Sequence, residues 1–79
     1  MSATKQLIED RVVAALIAAR HQSGLRQAQL AKKLGYSQSW VARLEGGKRR
    51  IAVDEIYRLA KVLHADPQQL LSGVFREVE

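Results

Sequence analysis

Apolar residues recur at helical intervals along almost the whole chain, and nowhere do they alternate as they would in a half-buried strand. Ile8, Val12 and Leu16 step by four, which places them on one face of a helix over residues 4–22, with Ser2 or Thr4 suited to cap its start. Leu30, Ala31 and Leu34 line a short second helix over 27–34. Ser37 offers a capping oxygen, so a third helix is expected over 38–45 with Val41 and Leu44 turned inward. Ile56, Leu59, Ala60 and Leu63 form the i, i+3, i+4, i+7 stripe of a fourth over 53–63. Asp66 and Pro67 then open a fifth, with Leu70 and Leu71 on its buried side. Residues 74–79 carry no clear period.

Gly24, Gly35, the pair Gly46 and Gly47, and Gly73 follow these stretches, where a chain leaving a helix uses a left-handed residue. The expected architecture is therefore all-α: five helices in a single domain over residues 1–79, with its core within 7–72 and a tail over 74–79. No repeat, low-complexity segment or interdomain linker interrupts it.

Only Gly35, Tyr36 and Ser37 separate the second helix from the third. A connection this short that opens with glycine is the signature of a helix-turn-helix, with the second of its helices held across the first. At about 100° per residue, Gln38, Ser39, Ala42 and Arg43 point away from the side that carries Val41 and Leu44. Trp40 falls on the flank beside Leu44, where its ring can rest on the apolar edge while the indole N–H faces out.

Composition narrows the function. The 79 residues include no cysteine, so one modest core must hold by packing alone. No apolar run is long enough for a bilayer and residues 1–10 lack the pattern of a signal peptide, so a cytoplasmic protein is expected. The net charge is +5, and its distribution matters more than its size. Arg26, Lys32, Lys33, Arg43, Lys48, Arg49 and Arg50 face the single acid Glu45 within residues 26–50, while the rest of the chain is close to neutral. Such a concentration is either a solvated basic surface or the footprint of a polyanion partner.

Double-stranded DNA suits this pattern. In the major groove guanine presents O6 and N7 to an arginine fork, and adenine presents N7 and N6 to a glutamine amide. Arg43 and Gln38 are the natural readers, with Ser39 as a third candidate; the same positions also suit ordinary solvated helix surface. Lys48, Arg49 and Arg50 follow the glycine pair in a loop that either lies along phosphates or remains a solvated run. Ser37 and Gln27 sit at helix N-termini, where unpaired N–H groups favour phosphate and where either residue also serves as a simple cap. His21 and His64 stand alone near helix ends and complement the C-terminal dipole. There is no cysteine nucleophile, histidine–carboxylate cluster or phosphate-cradling glycine loop, so neither catalysis nor a metal, cofactor or small-molecule ligand is expected.

The stretch LRQAQLAKKLGYSQSWVARLEGGKR, residues 25–49, resembles the phage-repressor/Cro-like (xenobiotic-response-element type) helix-turn-helix family of transcriptional regulators. Gln27 opens helix two, Leu30 and Ala31 lie in its middle, Gly35 is in the turn, Ser37, Gln38 and Ser39 open the next helix, and Glu45 precedes Gly47, Lys48 and Arg49. Weaker similarity runs from residue 16 to 71. The resemblance implies a five-helix lambda-repressor-like domain in which Gln38, Ser39 and Arg43 read bases. It also implies that Gln27 touches a phosphate and braces Gln38, that Trp40 lies against the sugar-phosphate backbone, and that Lys48 and Arg49 grip phosphates. Arg20 and Glu45 match a buried pair tying helix one to helix three. The chain departs from the family at Ile51 and Ala52, where a proline and a small hydroxyl residue are usual, and at Val13 and Ile17, on a side of helix one that is usually charged.

The expected function is a sequence-specific DNA-binding regulator, a repressor acting on a palindromic operator as a homodimer, with no separate sensing domain. The alternative is a protein-interaction module or antitoxin whose main partner is another protein; RNA binding fits less well, because stacking aromatics on a sheet are lacking. Val13, Ile17, Val74, Phe75 and Val78 exceed what the core requires, and are expected to bring the tail against helix one within a subunit or across a two-fold axis.

Overall fold

Five helices succeed one another in the computed structural model, which describes residues 3–78: α1 (Ala3–Gln22), α2 (Gln27–Leu34), α3 (Gln38–Glu45), α4 (Val53–Val62) and α5 (Pro67–Leu70). Each lies where the apolar period places one. The limits of α2 and α3 coincide with those expected, α1 opens one residue earlier and α4 closes one residue earlier. Thr4 is inside α1 and so does not cap it; Ser2, the other candidate, lies outside the described residues.

The core is assembled from the inward faces of four helices: Val12 and Leu16 from α1, Leu30, Ala31 and Leu34 from α2, Val41 and Leu44 from α3, and Leu59 and Ala60 from α4, with Leu63 just beyond. Ile8, Ile56, Leu70 and Leu71, expected on the same faces, are half-buried against its rim. Each fully buried aliphatic side chain contributes about 1.5–3 kcal/mol relative to exposure, so the stripes alone account for why these short helices stay formed.

Four helices end in one backbone wrap, in which two N–H groups beyond the last turn reach back to its carbonyls. At the end of α2 the Tyr36 N–H donates to Ala31 O at 3.0 Å and Gly35 N–H to Lys32 O at 3.2 Å, with Gly35 at φ 79°. After α3 the same arrangement runs through Gly47 at φ 72°, with Lys48 N–H on Arg43 O at 2.8 Å. The glycine pair thus divides its labour: Gly46 is at φ −84° and only Gly47 is left-handed. Gly73, expected to serve similarly, does not adopt positive φ, whereas His64 does, at φ 57°, and wraps the end of α4 through Ala65 N–H to Ala60 O at 2.8 Å. Histidine is among the few non-glycine residues enriched in that region.

The tail takes the first of the two arrangements expected for it, against α1 within the subunit. Val74 is only 2% exposed and belongs to the core, so apolar packing extends past residue 72. Arg11 on α1 fixes it there, donating through one guanidinium nitrogen to Val74 O at 3.0 Å and to Arg76 O. Val13, Ile17 and Val78 are half-buried, leaving Phe75, at 63% exposure, as the sole exposed member of the expected apolar group. The tail therefore folds back within its own subunit, and the five residues do not form a common exposed patch. No helix among the described residues is long and apolar enough to cross a membrane.

Candidate nucleic-acid interface

The short turn 35–37 presents α3 outward. The wrap at Gly35 stops α2 abruptly, and two residues later Ser37, in extended geometry, accepts the Trp40 N–H on its side-chain oxygen at 3.3 Å and so starts α3. Its hydroxyl also lies 3.1 Å from that of Ser39. Ser37 is therefore an N-cap in this structure. With Val41 and Leu44 fully buried, Gln38, Ser39, Ala42 and Arg43 are all exposed and together form one continuous outer face.

The far end of α3 is held by charge. Arg20, buried on α1, donates from Nε to Glu45 Oε2 at 2.6 Å and from Nη2 to Glu45 Oε1 at 2.9 Å. Its remaining nitrogen donates to Leu25 O at 2.9 Å, and Nη2 also lies 3.2 Å from His21 Nε2. Gln27 adds its amide to Glu45 Oε1 at 2.9 Å. The glutamine thus braces Glu45, not Gln38 as the resemblance implied, and with a shared carboxylate it ties α2 to the same anchor.

One flank of the outer face is a ladder of rings and guanidinium groups. Arg49 stands 4.6 Å from the Trp40 ring centroid, the Trp40 and Tyr36 centroids are 4.4 Å apart, and Arg58 of α4 stands 5.1 Å from that of Tyr36. Trp40 is half-buried at the edge of the core, as its place on the helix required. Arg58 also donates to the Tyr36 hydroxyl. Arg49 closes the circuit through a two-pronged contact with Glu55, at 3.1 Å and 3.3 Å. The same carboxylate accepts the Ala52 N–H at 2.9 Å and caps α4. The Arg49 hydrogen bond, then that from Ala52, hold the Glu55 carboxyl below its ordinary range, against a smaller opposing effect of burial. This cap stands where the family's proline and hydroxyl residue are replaced by Ile51 and Ala52.

The three cations after Gly47 therefore differ. Lys48 is exposed and, among the described residues, makes no ion pair. Arg49 is half-buried between Trp40 and Glu55. Arg50 is 72% exposed at its side chain and reaches Glu9 of α1 at 3.4 Å. Sequence reading missed Tyr36, Arg58 and Glu55. Glu55 stands at the third position of α4, a spacing that signals a reciprocal cap, whereas nothing local announces that Arg58 meets Tyr36 across 22 positions.

A helix-turn-helix domain family matches residues 11–72. Among solved structures the chain is similar to an XRE-family like protein from Pseudomonas syringae pv. tomato str. DC3000, with a TM-score of 0.82 and 32% identity over 94% of each chain. No curated protein matches. With α2, the tight turn and the outward face of α3 arranged as described, the chain belongs to the XRE/Cro-like helix-turn-helix family of DNA-binding regulators.

Proposed function

We propose that this protein is a sequence-specific transcriptional repressor of the cytoplasm that occupies a palindromic operator as a homodimer. The observation that carries this reading is the shared exposure of Gln38, Ser39 and Arg43 on a helix pinned at both ends, with Lys48, which makes no ion pair among the described residues, just beyond it. In this reading Arg43 forks onto guanine, Gln38 pairs with adenine and Ser39 makes a single contact beside it. Lys48 takes a phosphate directly, and Trp40 and Arg49 lie along the backbone as a stacked pair. Arg50 exchanges its exposed contact with Glu9 for a phosphate. Gln27 and the Ser37 N-terminus of α3 approach the backbone from the other end of the helix. Two copies would set their reading helices about 34 Å apart, one duplex turn. Repression then follows from occupancy of a promoter.

Selection of sites from a random duplex library tests this. The expected result is a two-fold symmetric consensus bound by two copies, together with loss of transcription from a promoter that overlaps it. Enrichment of no sequence, or of a single half-site bound by one copy, overturns the proposal.

A further inference from the structure

The charged groups on the basic side of the molecule are not equivalent. Arg49 shares Glu55 in a two-pronged contact and Arg50 meets Glu9, so both already hold a carboxylate. Arg58 is exposed and, among the described residues, forms no ion pair, although its charge acts at longer range on Glu55; its hydrogen-bond partner is the hydroxyl of Tyr36. A guanidinium has five N–H donors. Most of those of Arg58 are therefore unused.

The hydroxyl is arranged to match. Because Arg58 donates into the Tyr36 oxygen, the phenolic hydrogen must point elsewhere, and no acceptor within the described residues receives it. A phenol that accepts a hydrogen bond from a cation is polarised into a better donor. Among the described residues one O–H and several N–H groups are thus left without acceptors at one place, a donor set that suits a phosphodiester oxygen.

The place itself is fixed by the ladder. At 100° per residue, Trp40 borders the outer face of α3 on the side of Arg43, with Gln38 and Glu45 on the other. Tyr36 lies against Trp40 with the two rings tilted by 45°, and Arg58 lies beyond Tyr36, so the row leads from the reading face onto α4. We infer that the Tyr36 hydroxyl and the Arg58 guanidinium together bind a backbone phosphate of the strand that flanks the Arg43 edge of α3. This rests on the proposal that Gln38, Ser39 and Arg43 enter the groove. It extends the contact surface onto α4, to residues 22 positions apart in the chain.

The test compares R58A, R58K and Y36F with the full wild-type chain, on the selected duplex and on a random-sequence duplex, from low to high salt. R58A should weaken both duplexes alike, by about fivefold near 0.15 M salt, and reduce the slope of log K against log salt by about one unit. R58K should restore the slope. Y36F retains the ring and its contact with Trp40 but loses the donor, so it should weaken both duplexes with the slope unaltered. Thermal melting at the wild-type temperature shows that the variants are folded. R58A with wild-type affinity and slope overturns the inference, as does a loss confined to the selected duplex, which would make Arg58 a reader of bases. Wild-type behaviour of Y36F removes the hydroxyl from the site. If the wild type itself shows no preference for any duplex, the reading-face proposal fails instead, and the random-duplex slope still decides the phosphate contact.

Discussion

Arg20 and Glu45 lie 25 positions apart in the sequence and side by side in the structure, joined by two parallel hydrogen bonds at 2.6 Å and 2.9 Å with both side chains about nine-tenths shielded. The contact fastens the end of α3 to α1. Removing one partner leaves the other charge buried and unpaired, at a cost on the order of 3–5 kcal/mol, more than the intact pair contributes. Glu45→Ala and Arg20→Ala should each lower the melting temperature sharply, and the double variant should fall well short of their sum. Additive losses in a double-mutant cycle would show that the two do not act as a unit.

Arg43 is exposed on the outer face with no ion pair among the described residues. Arg43→Ala should cost about 1–3 kcal/mol of discrimination at one position of each half-site and leave binding to random duplex nearly intact. Measuring the variant against every single-base change in the selected site checks this; unchanged discrimination removes Arg43 from the readers.

Lys48 and Arg49 are adjacent in sequence but differ in what they hold, and their alanine variants should differ accordingly. Lys48→Ala should weaken all duplexes alike and flatten the salt slope by about one unit without changing the melting temperature. Arg49→Ala should also lower thermal stability, because Glu55 and Trp40 lose their partner. Equal melting temperatures for the two variants would mean that the Arg49 clamp adds nothing to the fold.

How far the sequence could be read follows from the range of the interaction concerned. Helix periods and the face of α3 are set by neighbours within four positions, which is why Val41 and Leu44 turned inward and Gln38, Ser39, Ala42 and Arg43 outward as their spacing required. The Arg20 and Glu45 pair was accessible only through resemblance, since no local rule joins residues so far apart. The Tyr36 and Arg58 contact had neither kind of signal. Val74 was expected against helix one but outside the core limits, because a single buried valine after a glycine leaves no period to detect, and its carbonyl is held by Arg11, 63 positions away.

Acid should loosen the start of α4. The Glu55 carboxyl titrates below its ordinary value of 4.5 because Arg49 and the Ala52 N–H stabilise its charged form. Its contribution is therefore complete above that ordinary value and disappears as pH falls through the depressed folded one. Glu55→Gln should lower stability at neutral pH and remove this part of the acid dependence. Parallel pH profiles for variant and wild type, followed by thermal melting, would sink the assignment.

Trp40 is the only tryptophan and stands between Tyr36 and Arg49 at the rim of the outer face of α3. Its emission should change when the selected duplex is added, with a midpoint equal to that of a direct binding assay. An unchanged spectrum at saturation would place the ladder away from the DNA.

Helix α3 is fastened at both ends, by the Ser37 cap at its start and by the Gly47 wrap and the Arg20 anchor at its finish. If α3 enters the groove as proposed, a blade held this firmly would leave adjustment to the double helix, whose bendability varies with its base steps. Stiff and supple stretches would then be told apart by the work of fitting them, including at base pairs that no side chain reaches.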